Sequence, residues 1–191
     1  MPLNAYHQSE ERVICILDFD QPESEVDPSK LQCLDCGKPM FIRAPEARVT
    51  HFCHYPEDAN ECKAGESVRH AVGKVRVAEF LKRTQPHARI EYEKDVGQRR
   101  ADVLVTYSEG LQCAHEIQLS PIGHEELRRR SLDYHKQGTP VHWWFGPKVS
   151  EGLVEWATIN LGGCSEIEFE SEVYEENHLG GGDGSPPQRE Q

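Results

Sequence analysis

No stretch of the sequence approaches the roughly 18 consecutive apolar residues that a membrane-crossing helix needs. The N-terminal MPLNAYHQSEER also lacks the basic start and apolar run of a secretory leader. These absences lead us to expect a soluble, cytoplasmic protein with no membrane partner. Basic charge is scarce too: 21 Lys and Arg stand against 33 Asp and Glu, a formal net charge of −12. That balance argues against a surface built throughout for polyanions. The deficit is local, however. Residues 18–28 (DFDQPESEVDP) hold five acids and no base, and 166–191 hold eight acids and one base, which together account for the whole imbalance. The rest of the chain is near neutral, so a locally basic cleft stays open to it. Arg99, Arg100 and the run Arg128, Arg129, Arg130 are its candidates, and they also suit an ordinary solvated face. A disulfide framework is a further absence. The seven cysteines are odd in number and include Cys33-x-x-Cys36, which in a reducing compartment points to metal or thiol chemistry.

What is present fits one domain of ordinary size with attachments, since 191 residues can bury a real core. ERVICILDF (11–19) reads as a strand and the acidic, proline-interrupted stretch after it as a loop, so 1–30 forms an N-terminal strand and loop. A Cys/His segment occupies 31–62. Residues 63–165 then alternate helical and strand patterns. SVRHAVGKVRVAEFLKR (67–83) is helical, with Val68, Ala71, Val72, Val75 and Ala78 as the apolar stripe. Three strand candidates follow at 88–96, 99–107 and 111–119, punctuated by Gly97 and Gly110. A second helix (124–137) stops at Gly138, and PVHWWF (140–145) is strongly β-forming, its aromatics suited to burial. The order is αβββαβ, an α/β core. Cys15, Cys113 and Cys164 read as small core residues. Residues 166–191 form an acidic tail too rich in Gly, Pro and charge to order itself; the alternative is that it covers the basic cleft or a basic partner.

Two places carry chemistry. Cys33-x₂-Cys36-x₁₄-His51-x₂-His54 suits a tetrahedral, structural Zn²⁺, with Cys53 and Cys62 as rivals for the fourth position. The second place is inside the strands. If Ser108, Glu109 and Gly110 close a three-residue hairpin, Tyr107 faces Leu111, and counting back sets Asp102 opposite Glu116 and Arg100 opposite Gln118. Facing carboxylates repel unless a cation lies between them, either a divalent Mg²⁺ or Mn²⁺ or the guanidinium of Arg100. Glu66, His70 and Lys74 recur every four residues and share a helix face, as do Arg130 and Tyr134.

R-x-A-D-V (99–103), E-I-Q-x-S-x-I from Glu116, the Arg130-x-x-x-Tyr134 helix and the aromatic β-run resemble the competence protein CoiA family of the PD-(D/E)XK nuclease-like superfamily. The resemblance extends over roughly 33–146. It implies a restriction-endonuclease-like αβββαβ core behind a small zinc knuckle, and a metal-dependent deoxyribonuclease working in DNA uptake or recombination on single-stranded or branched DNA, with a possible protein partner. It implies that Asp102 and Glu116 bind Mg²⁺ or Mn²⁺, that Gln118 orients water where the superfamily carries Lys, and that Glu66 completes the site. His70, Lys74, Arg100, Arg130 and Tyr134 would contact substrate. Because Gln brings no positive charge to a developing phosphoryl anion, the alternative is a nuclease-fold adaptor that binds DNA or protein without cleaving it.

Overall fold

The computed structural model describes residues 2–45, 49–59, 62 and 67–167. They divide into two compact units between Ala71 and Val72. In the first unit, β1 (Asn4–His7), β2 (Arg12–Cys15) and β3 (Leu31–Gln32) form an antiparallel sheet in the order β2-β1-β3. The strand expected over 11–19 is shorter than that. Its ladder ends at Asn4↔Cys15, where its partner begins, and the chain turns through a 3₁₀ segment at Ile16–Asp18. A single helical turn, α1 (Pro22–Glu25), interrupts the acidic loop. A hairpin follows, β4 (Met40–Arg43) with β5 (His51–His54), and then the short α2 (Pro56–Ala59). Leu3, Ala5, Ile14, Ile16, Leu31, Met40 and Phe52 are buried in this unit.

The second unit follows the expected order and then exceeds it. Helix α3 (Val68–Thr84), in which the division falls, leads into the meander β6 (Arg89–Val96), β7 (Arg99–Thr106) and β8 (Gln112–Gln118). Helix α4 (His124–Lys136) crosses to β9 (Val141–Phe145), which runs parallel to β8. A further helix, α5 (Glu151–Leu161), then returns the chain to a parallel edge strand, β10 (Cys164–Glu166). The sheet order is β10-β9-β8-β7-β6. No expectation was attached to α5. Leu153 and Ala157, one turn apart, bury its inner face, and Gly162 at φ +74° ends it in the left-handed conformation.

Helices cover both faces of this sheet. Leu127 of α4 and Leu153 and Ala157 of α5 pack with Trp143 and Phe145, whereas Trp144, pointing the other way, meets Phe80 of α3 edge to face at 5.6 Å. The aromatic run is therefore core, as its pattern predicts. Cys15, Cys113 and Cys164 are only half-buried.

On the α3 face a polar ring is also enclosed. His115 is 5% exposed, and its Nδ1 accepts from the Trp144 indole N–H at 3.0 Å. Burial, and then neighbouring His142, push its pKa from an ordinary 6.5 down to about 3. The folded state thus binds this proton less readily than the unfolded chain. Stability is full above the unfolded pKa and falls as pH drops from 6.5 toward 3, by about 3 kcal/mol between pH 7 and 4. Urea titrations across that range should show a shallower slope in His115→Gln, which cannot titrate; an unchanged slope would contradict the assignment.

Candidate functional site

The hairpin between β7 and β8 closes as its sequence requires. Tyr107 N–H donates to Leu111 O at 2.8 Å, Gly110 N–H donates to Tyr107 O at 2.9 Å, and Gly110 has φ +80°. The ladder then runs Thr106↔Gln112 to Val103↔His115 and stops. One step further, the count sets Asp102 opposite Glu116. On the other side, β6 and β7 pair at Tyr92↔Val103 and Lys94↔Ala101, which puts Glu93 in the same row. Three adjacent strands therefore carry Glu93, Asp102 and Glu116 across one line of the sheet.

Regular alternation breaks at this row. Glu93 has φ +47°, a left-handed conformation rarely held by a non-glycine residue. Beyond the row, Ala101 packs with Leu104 and Tyr134, although 101 and 104 would occupy opposite faces of a regular strand. Arg99 likewise reaches α4, where its Nε and one terminal nitrogen donate to Asp133 at 3.0 and 2.8 Å. Side-chain order has reversed across Asp102. Its Oδ2 instead accepts the backbone N–H of Ile117 at 2.8 Å, so the carboxylate lies between β7 and β8 where the ladder has ended.

Glu116 faces α4 and is 1% exposed. The Tyr134 hydroxyl donates to its Oε1, and the Arg130 guanidinium donates to its Oε2. Arg130 also donates to Gln118 Oε1 at 3.2 Å and lies over the Trp143 ring at 4.9 Å. The Gln118 amide donates in turn to Ser120 O at 2.8 Å and Ser120 Oγ at 3.2 Å. Burial first, and then the charge of Glu116, hold the Tyr134 hydroxyl well above the ordinary phenol range, so it remains a donor. The resident cation at Glu116 is therefore Arg130. By type the two carboxylates suit a hard divalent ion, and for such an ion to take Glu116 Oε2 this guanidinium has to give way.

Several expected roles change. Arg100, expected beside Gln118, pairs with Asp95 of β6 at 3.4 Å. Tyr134 is fully buried and so is no substrate contact. Lys74 is 2% exposed, because the buried stripe of α3 is Ala71, Lys74, Val77, Ala78 and Leu81, and its Nζ meets Glu93 Oε1 at 2.5 Å. It cannot serve as an open phosphate contact. His70 precedes the division, in the first turn of α3, where its N–H donates to Ser67 O at 3.1 Å. Glu66 and the tail lie outside the described residues, the tail from residue 168 on. Of the arginines expected to make a basic cleft, Arg129 meets Glu126 and Arg99 meets Asp133. Glu93 is the site residue that sequence reasoning missed. The two-residue turn Gly97-Gln98, closing Val96↔Arg99, carried the signal, since counting from it sets Glu93 against Asp102.

In the first unit, Cys33, Cys36, His54 and Cys62 bring one ligand atom each within 4.8 Å of one another. Cys33 opens a tight turn: Gly37 N–H donates to its carbonyl at 2.9 Å, and Asp35 N–H points to its Sγ at 3.4 Å. His51, expected as the third ligand, is absent from the group, and Cys62 supplies the fourth donor. The reason is the pleat of β5, since residues three apart on a strand face opposite sides. His51 is buried with Nδ1 2.7 Å from Val49 O. Zn–S bonds of ~2.3 Å in a tetrahedron set sulfurs about 3.8 Å apart. The Cys33 and Cys62 sulfurs are 3.8 Å apart, and Cys36 Sγ lies 3.3 Å from His54 Nε2. This donor set fits zinc. Burial raises the Cys33 thiol to about 11 and lowers His54 below the ordinary imidazole range.

Residues 66–160 match the family model of the competence protein CoiA, nuclease-like domain. No curated protein matches the chain. Among solved structures, similarity extends to EndoMS in complex with double-stranded DNA (17% identity, TM-score 0.34, 50% of this chain and 44% of that one). A repair endonuclease from Pyrococcus abyssi is 15% identical, with TM-score 0.36 over 56% of this chain and 49% of that one. SfsA of Pyrococcus furiosus in complex with Ca²⁺ is 15% identical, with TM-score 0.34 over 68% and 69%. The chain spans about half the length of the first two.

Proposed function

Residues 66–160 being a CoiA nuclease-like domain, we propose that this protein is a metal-dependent deoxyribonuclease serving DNA uptake, recombination or a related process in the cytoplasm. The observation that carries this reading is the placement of Asp102 where the β7–β8 ladder stops, in register with the buried Glu116. Asp102 and Glu116 would hold Mg²⁺ or Mn²⁺, an ion that supplies charge neutralisation and an activated water at a phosphodiester. Tyr134 fixes the orientation of Glu116 by donating to Oε1. Arg130 is the mobile cation: a phosphate competes with Glu116 for its guanidinium and offers it the same bidentate geometry. In this way Arg130 supplies the positive charge that Gln118 does not bring. Gln118, held by Ser120, keeps its amide at the rim of the site. The Cys₃His group serves folding of the first unit through zinc.

A second reading is favoured by the Arg130–Glu116 pair itself, which neutralises the buried acid without any metal. It makes the domain a DNA-binding or protein-binding adaptor. Zinc-replete protein incubated with labelled single-stranded, duplex and branched DNA, with and without Mn²⁺ or Mg²⁺, separates the two. We expect divalent-dependent cleavage that falls at least about 100-fold in Asp102→Ala and in Glu116→Ala, the scale of losing charge stabilisation of the transition state. DNA binding without cleavage would establish the adaptor.

A further inference from the structure

We propose that the buried Lys74–Glu93 ion pair is the positioning device for Asp102. The proposal builds on the reading above, since Asp102 is the acid which that reading brings to the phosphodiester.

Three observations converge on one row of the sheet. Glu93 holds φ +47°, where a glycine or asparagine would sit with less strain. Its carboxylate meets the Lys74 ammonium at 2.5 Å, with side chains 7% and 2% exposed. Glu93 lies in register with Asp102, between the pairs Tyr92↔Val103 and Lys94↔Ala101. In regular alternation Tyr92 and Val103 would face α3, and Glu93 would face α4 with Glu116. Instead Glu93 reaches Lys74, which lies on α3. The left-handed turn of one residue is what carries the carboxylate to that side. It is also where side-chain order reverses, so that Ala101 and Arg99 face α4.

Asp102 sits opposite the turn. Its carboxylate is directed at β8, where it takes the Ile117 N–H. A buried ion pair is a poor device for stability alone, because apolar residues of similar volume do as well or better. Its merit is directional. Lys74, fixed within the buried stripe of α3, can be satisfied by Glu93 only if β6 adopts the left-handed conformation. That conformation in turn fixes the register position from which Asp102 projects. Lys74 and Glu93 thus act through Asp102 and need not touch substrate.

The Ile117 amide reports Asp102 without any need for activity. Lys74→Met/Glu93→Leu removes both charges together and favours regular strand geometry at 93. We expect this variant to fold, with the Ile117 amide resonance shifted upfield and its hydrogen exchange accelerated at least about tenfold, as loss of a charge-assisted hydrogen bond implies. Exchange of Leu104, one face further along β7, should stay at the wild-type rate. If that variant does not fold, Lys74→Met/Glu93→Gln decides, since it keeps the side-chain volume at 93 and removes the charge pairing that holds positive φ there; the same acceleration at Ile117 is expected. A folded variant of either kind with the wild-type Ile117 shift and exchange rate overturns the proposal. Where wild-type protein cleaves DNA, the variants should lose kcat with KM unchanged. Absence of cleavage in wild type would count against the nuclease reading alone and leave the amide test intact.

Discussion

Serine in place of Cys62 should release the zinc and abolish cooperative folding of the first unit, while His51→Asn should retain both. Beyond a small apolar core, the regular structure of that unit is short. Among its described residues the strands are two to four residues long, and α1 and α2 are single turns. A structural zinc site contributes on the order of 10 kcal/mol of apparent binding free energy, all of it available to folding. Cys62 is the ligand most distant in sequence from Cys33 and Cys36, so it closes the largest loop and its loss leaves three donors. A hydroxyl is a far weaker zinc ligand than a thiolate. His51→Asn removes a buried ring near Val49 O and should cost about 1–2 kcal/mol of stability without loss of metal. Zinc content by mass spectrometry and far-ultraviolet melting curves of the two variants settle the matter. Retention of stoichiometric zinc by Cys62→Ser, or its loss from His51→Asn, would restore the ligand set that spacing alone suggests.

That reversal illustrates what a sequence can and cannot disclose here. Spacing pointed to a zinc-binding donor set, and Cys33, Cys36 and His54 belong to the Cys₃His group. The error at His51 came from reading HFCH as a ligand pair before reading it as a strand, whose alternation forbids both histidines on one side. The Asp102–Glu116 register was legible because a three-residue hairpin with glycine in its last position has one natural pairing, and counting does the rest. The row itself was not. Nothing in IEYEKDV announces a left-handed residue, since glutamate there departs from the chemistry that normally marks positive φ. Lys74 was misplaced for a related reason. Val68, Val72 and Val75 form an apolar line on α3, yet the helix packs through Ala71, Val77, Ala78 and Leu81, and the lysine within that stripe is met by Glu93. A partner that supplies the compensating charge from a different element leaves no local mark. Helix α5 went unread because its buried face is only Leu153 and Ala157, too short a stripe to stand out from a loop.

Arg130→Met should destabilise the second unit by about 3–5 kcal/mol at neutral pH, because it strands a carboxylate that is almost wholly buried. Methionine keeps volume over the Trp143 ring, so the loss reports charge rather than packing. Arg130→Met/Glu116→Gln should recover most of it, since the acid that needed a cation is gone and the Gln carbonyl still accepts from Tyr134. A urea-denaturation cycle over the four proteins gives the coupling directly. The same variants weigh the two functional readings against each other. If Asp102 and Glu116 are metal ligands, Arg130 competes with the ion for Glu116 Oε2, and its removal should strengthen Mg²⁺ or Mn²⁺ binding. Added divalent ion should then stabilise Arg130→Met far more than wild type, by about 2.7 kcal/mol at a hundredfold excess over Kd. Arg130→Met/Glu116→Gln should lose that response. If the guanidinium is instead a permanent counter-ion in an adaptor, divalent ions leave all four unfolding curves unmoved. The deficit of Arg130→Met would then measure how strongly this fold depends on an internal cation at a buried carboxylate.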